Sequence, residues 1–244
     1  MRIFTLTSNA YKYLTHNLLA SMHRLGIGSL LHLICSDQES ASYFHDLNHV
    51  HVEYVPVMKF PEAEYGTRAF EALMSNRIKI YRQKLEGGDC LFVDGDIVFL
   101  KDPVFEIASY LKDFDIVAQD NGHADCLSYK MNPGSGQNVC CGFMALAATP
   151  RLMALYKQDQ FTEVNQAYKL GCKQPFNYFD DEYFVNCWLK PQVKTKILSP
   201  NGFPVGRFFL GANPVSLSDA YIAHFNWLAG NKIVEMKRLN VWFL

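Results

Sequence analysis

Apolar positions recur at spacings of three and four over two long stretches, and each predicts an amphipathic helix. The first runs through Tyr11, Leu14, Leu18, Met22 and Leu25 and stops at Gly26. The second runs through Phe70, Met74, Ile78, Tyr81 and Leu85 and stops at Gly87-Gly88. Short apolar or alternating runs at 3–6, 30–35, 51–57, 115–118, 139–147 and 193–197 read as strands. Asp102-Pro103 and Thr149-Pro150 each set a capping side chain before a proline suited to the first helical position. Residues 182–189 have a helical pattern, residues 122–137 read as a polar loop, and residues 221–227 form an apolar run around His224. Strands and helices alternate through the first half. That order predicts an α/β fold with a mostly parallel mixed sheet, right-handed crossovers and flanking helices. No internal repeat, low-complexity segment or linker interrupts the pattern, so a single domain over 1–244 is expected.

One apolar stretch carries charge inside it. Residues 91–100 read Leu-Phe-Val-Asp-Gly-Asp-Ile-Val-Phe-Leu, which predicts a buried strand ending at its carboxylates. Carboxylates next to a core need a partner, and a cation supplies one. Asp94 and Asp96 can converge on one divalent ion at the carboxyl end of a strand, where open α/β sheets bind ligands. Hard oxygen ligands suit Mg²⁺ or Mn²⁺, which commonly carry substrate phosphates. The first expectation is an enzyme acting on a metal-bound nucleotide diphosphate.

Other segments add candidates. His224 sits in an apolar run followed by Gly230-Asn231-Lys232; a lone histidine there is usually a core residue, but a glycine and a lysine close by suit a phosphate. Asp180-Asp181-Glu182 open an apolar helix, which the helix dipole favours and which also suits a sugar hydroxyl or acid–base work. Cys140-Cys141-Gly142-Phe143 reads as a buried strand with a glycine for close packing. Of the helix cations Arg68, Arg77, Lys79 and Arg82, Arg77 and Lys79 precede the acid pair closely enough for one to reach a diphosphate.

Composition narrows the classes. The 244 residues are 49% hydrophobic, enough for one sizeable core. A net charge of −1 without a basic run argues against a nucleic-acid partner. Seven cysteines at irregular spacing, with no C-x-x-C pair, suggest neither a disulfide framework nor a zinc site. Reduced thiols fit a cytoplasmic location. No signal h-region opens the sequence, and no apolar run approaches the roughly 20 residues that span a bilayer.

Taken in order, an N-terminal strand, a helix carrying Lys79, LFVDGDIVFLKDP, CGFMALAATP, DDEYFVN and HFNWLAGNK resemble the nucleotide-diphospho-sugar transferase family, which includes plant arabinosyl- and xylosyltransferases. The resemblance implies a GT-A fold, a UDP-sugar donor, a Mn²⁺ or Mg²⁺ ion, a hydroxyl of a glycan or glycoconjugate as acceptor, and retention of anomeric configuration. It implies metal ligation by Asp94, Asp96 and His224, and donor contacts from Thr7, Ser8, Asn9, Tyr11, Lys79, Asp94, Gly95 and Lys232. Asp180 and Asp181 fall on the sugar or acceptor side and are the catalytic candidates. The sequence departs from the family at Glu182, usually glutamine, and at Cys140, often asparagine. Two other readings compete. A haloacid-dehalogenase-like phosphohydrolase would use Asp94 as nucleophile, although that motif normally sits on a first strand. A non-catalytic sugar-binding module would use the 14% aromatic residues.

Overall fold

The structure, a computed structural model, describes residues 1–47, 50–56, 67–122, 138–171, 180–210, 214–226, 228 and 231–244, with side chains of the helix at 158–171 described up to 167. A seven-stranded sheet forms its centre. In spatial order it holds β3 (His51–Tyr54), β2 (Leu31–Cys35), β1 (Arg2–Thr7), β4 (Cys90–Val93), β7 (Val139–Leu146), β6 (Ile116–Asp120) and β8 (Thr195–Leu198). Pairing is parallel except along β7, which runs antiparallel to both neighbours. β4, β6 and β7 are buried along their whole length, as expected for strands covered on both faces.

One face packs under α3 (Arg68–Leu85), where Met74, Ile78, Tyr81 and Leu85 meet Phe92, Met144 and Leu146. The Tyr81 ring stacks on Phe92 with centroids 3.7 Å apart. The opposite face packs under α1 (Lys12–Arg24), α2 (Gln38–His45) and α4 (Val104–Tyr110), through Leu18, Met22, Phe44 and Ile107. The periodicity of both long helices is realised as burial, except at Tyr11, which precedes α1 and is exposed. Thr149 caps as the sequence implies, its Oγ1 accepting from Leu152 N at 3.2 Å; at the other site Pro103 itself takes the cap position, and Asp102 Oδ1, one residue earlier, accepts from Val104 N at 2.8 Å.

Three expectations need correction. Residues 91–100 are not one strand. β4 ends at Val93, Asp94–Asp96 make a turn, and β5 (Ile97–Phe99) leaves to pair with β9 (Ile222–His224) in a separate two-stranded ribbon. Both flanks are equally buried, so hydropathy cannot register the change of sheet. Residues 182–189 are a single α-turn, Asp181–Tyr183, continued by π-helical Phe184–Leu189. Helices at Gln38–His45, Gln158–Gly171, Gly206–Phe209 and Lys232–Arg238 were not signalled by the pattern. The predicted loop at 122–137 lies outside the described residues beyond Gly122, as do Trp227 and Gly230.

Candidate active site

The turn between β4 and β5 sets the geometry. Asp94 N donates to Gly142 O of β7 at 2.7 Å, and Phe225 N donates to Asp96 O at 3.1 Å. One acid is thus tied to the large sheet and the other to the ribbon. Ile97 pairs with His224, so ribbon register brings the imidazole beside Asp96. Gly95 lies against α1, where a Cβ would overlap Thr15 Oγ1.

Each carboxylate has one oxygen held by an internal cation and one turned toward His224. Arg77 Nη2 donates to Asp94 Oδ1 at 2.7 Å, leaving Oδ2 3.8 Å from His224 Nε2. Lys232 Nζ donates to Asp96 Oδ2 at 2.6 Å, leaving Oδ1 3.3 Å from the same nitrogen. Asp96 is 4% exposed and His224 1%. Burial alone would raise the Asp96 carboxyl, but His224 and Lys232 outweigh it and hold the group well below the usual carboxylate range. Burial likewise opposes the Lys232 charge, and Asp96 more than offsets it, so the ammonium stays protonated.

His224 Nε2 is buried without a hydrogen-bond partner. An orphaned imidazole nitrogen between two carboxylate oxygens, all three atoms within 4.8 Å of one another, is what a Mg²⁺- or Mn²⁺-sized ion would satisfy. The donor set fits a divalent cation. Gly142 makes room for it: a Cβ there would overlap His224 Cε1 and lie 2.8 Å from both Nε2 and Asp94 Oδ2. The glycine read from sequence as a packing device is thus the floor of this cluster.

The acids at 180–182 have a different environment. Asp180 caps its helix, accepting from Tyr183 N at 2.9 Å. Burial, reinforced by Asp181, pushes the Asp180 carboxyl up to about 7. Asp181 lies 3.4 Å from Arg77 Nε; burial raises its carboxyl even though Arg77 works the other way. Glu182 accepts from Asn121 Nδ2 at 2.8 Å, and burial together with Asp180 and Asp181 raises it well above the usual range. Arg77 therefore links the two acid groups through one guanidinium, which also donates from Nε to Tyr81 Oη at 2.8 Å.

The remaining candidates divide. Lys79 is exposed on α3; two residues along a helix turn a side chain to roughly the opposite face, so Arg77, not Lys79, reaches the cluster. Tyr11 flanks it, with Lys232 Nζ 5.8 Å from its ring centroid. Thr7 is buried, its hydroxyl 2.8 Å from that of Thr15. Ser8 O accepts from Tyr11 N at 3.0 Å. Asn9 N donates to Asp37 Oδ2 at 2.8 Å. Thr7, Ser8 and Asn9 thus shape the turn from β1 into α1, which ends beside Tyr11. Sequence reasoning missed Gln119, whose Oε1 lies 3.0 Å from His224 Nδ1. It also set Arg77 no higher than Lys79. The burial rhythm of α3, with Met74, Ile78 and Tyr81 inward, could have singled out the arginine.

An open α/β sheet with a carboxylate pair, an imidazole and a lysine beyond the carboxyl end of its central strand fits a class: enzymes that act on phosphate-bearing ligands at the carboxyl ends of sheet strands. Residues 30–236 match the model of the nucleotide-diphospho-sugar transferase family, and the chain belongs to that family. It is a glycosyltransferase with a GT-A fold, and the phosphohydrolase and sugar-binding-module readings give way to that membership. Among solved structures it resembles LgtC, a galactosyltransferase crystallised with donor and acceptor sugar analogs, with TM-score 0.66 and 11% identity over 98% of this chain and 94% of that one. It also resembles mouse xyloside xylosyltransferase 1, with TM-score 0.60 and 13% identity over 93% and 97%. At such identity the likeness is one of fold. No curated protein matches the sequence significantly. No helix among the described residues is long and apolar enough to cross a membrane.

Proposed function

We propose that this glycosyltransferase moves a sugar from a uridine diphosphate donor to a hydroxyl of a glycan or glycoconjugate, with Mn²⁺ or Mg²⁺ held by Asp94, Asp96 and His224. The observation that carries the cation is the orphaned His224 Nε2 facing Asp94 Oδ2 and Asp96 Oδ1. The bond that breaks joins the anomeric carbon to a diphosphate oxygen, and the bond that forms joins the same carbon to the acceptor oxygen. A bound divalent ion supplies Lewis-acid stabilisation of the departing diphosphate. Lys232, kept protonated beside the acid pair, adds a positive charge on the same side. Tyr11 and the turn at Thr7, Ser8 and Asn9 form the nucleoside end, with Gly95 letting the acid turn sit close against α1. Asp180 and Asp181 orient the hydroxyls of the transferred sugar or the acceptor. UDP rests on family likeness, as does the retained configuration.

The test is binding before turnover. Calorimetry with UDP should show affinity that depends on Mn²⁺ and is not matched by GDP. A panel of UDP-sugars with Mn²⁺ should then raise the melting temperature, and the best stabiliser should release UDP on incubation with hydroxyl acceptors. Equal UDP affinity with and without the ion would overturn the cation assignment.

A further inference from the structure

The His224 ring has two nitrogens, and only Nε2 faces the carboxylates. What sets the ring's hydrogen placement is Gln119, fully buried on β6. Its Nε2 donates to Phe203 O at 3.1 Å and lies 3.4 Å from Pro204 O. Both are acceptors, so they fix the amide with its oxygen toward His224, where Oε1 sits 3.0 Å from Nδ1. An amide oxygen can only accept, so Nδ1 carries a hydrogen and Nε2 is the nitrogen presented to the carboxylates.

The backbone is also irregular at this residue. The β6–β7 register jumps between Ala118, paired with Met144, and Gln119, paired with Cys140. Such irregularities re-aim side chains beside active sites. Here the jump falls beside Gly142, the residue that clears space for the imidazole. Two independent features, amide orientation and strand register, thus converge on the same ring.

We infer that Gln119 is a positioning residue which accepts from His224 Nδ1–H and so aims Nε2 between Asp94 and Asp96. The inference rests on the cation reading above only for its purpose; the Gln119–His224 hydrogen bond is a property of the metal-free protein. Nitrogen-15 histidine spectra of metal-free wild type should show a hydrogen on His224 Nδ1. Gln119→Leu, which keeps the volume and loses the acceptor, should lose that hydrogen-bonded Nδ1 signal and weaken Mn²⁺ binding in calorimetry by about 10–100-fold. Gln119→Glu restores an acceptor and should recover the Nδ1 signal and most of the affinity, which a merely structural role for Gln119 would not produce. A wild-type ring without a hydrogen on Nδ1, or a Glu variant as impaired as the Leu variant, overturns the inference. An Nδ1–H ring in a wild type that takes up no Mn²⁺ upholds the Gln119 assignment and overturns the cation reading instead.

Discussion

Two groups of acids lie within reach of one arginine and behave in opposite ways. At Asp96, burial is overruled by a histidine and a lysine, and the carboxyl is held ionised. At Asp180, Asp181 and Glu182, burial wins, and each carboxyl is raised. Residue type is nearly the same in the two places. The difference lies in how many cations face each acid, since desolvation and charge pairing shift pKa values in opposite directions. Asp96 is built to stay anionic beside His224 and Lys232. In the second group burial favours the protonated carboxyl, most plainly at Asp180, which suits groups that donate to or accept from hydroxyls.

The contrast can be broken most severely at Asp96. Asp96→Ala removes a proposed metal ligand and takes a carboxylate from Lys232 and His224, and transfer should fall by about 10²–10³-fold or more. Initial rates of UDP release at saturating Mn²⁺ measure this, and near-normal rates would remove Asp96 from the site. Next comes Arg77, which serves both groups. Arg77→Met leaves Asp94 and Asp181 unpaired and should lower unfolding free energy in urea by about 3 kcal/mol, the low end for a broken buried pair, because the Asp94 side chain is 35% exposed. Adding Asp181→Asn should recover part of that loss; no recovery would mean the two acids do not share the guanidinium.

Gly142→Ala sharpens the comparison, because it should damage only the first group. The new methyl meets His224 and Asp94. Overpacking of this kind costs about 1–3 kcal/mol, and Mn²⁺ affinity should drop while the pH behaviour of Asp180 persists. The smallest effect belongs to Asp180 itself. Its raised carboxyl, at about 7, contributes stability that is complete below about pH 4 and drains away as pH climbs through the folded value. The melting temperature should therefore fall between about pH 4 and about pH 7 and level off above that. Asp180→Asn, which can still cap the helix, should flatten that fall, and an unchanged slope in the variant would assign the dependence to Asp181 or Glu182.

Much of this was legible in the chain. β1, β2, α1, α3 and β7 follow from periodicity, because each buries one face or both. The acid pair announces itself as charge inside an apolar run. What could not be read depends on partners far away in sequence. Nothing near Gln119 indicates that its amide will be pinned by Phe203 and Pro204 and turned on His224. Helix Gln38–His45 escapes notice because polar Gln38, Glu39, Ser40 and Ser42 dilute its apolar side, leaving Ala41 and Phe44 to anchor it. The break between β4 and β5 is invisible because hydropathy records burial and not which sheet receives the strand.

The ribbon of β5 and β9 has a consequence in time as well as in space. Asp94 and Asp96 leave the ribosome long before His224, and the ribbon cannot zip until the later strand has been made. A nascent chain already holding most of its parallel strands still lacks the imidazole that completes the cluster. On the proposed cation assignment, ion capture is thereby deferred to the last stages of synthesis, and a product ending before β9 would lack that site however well the rest of it had folded.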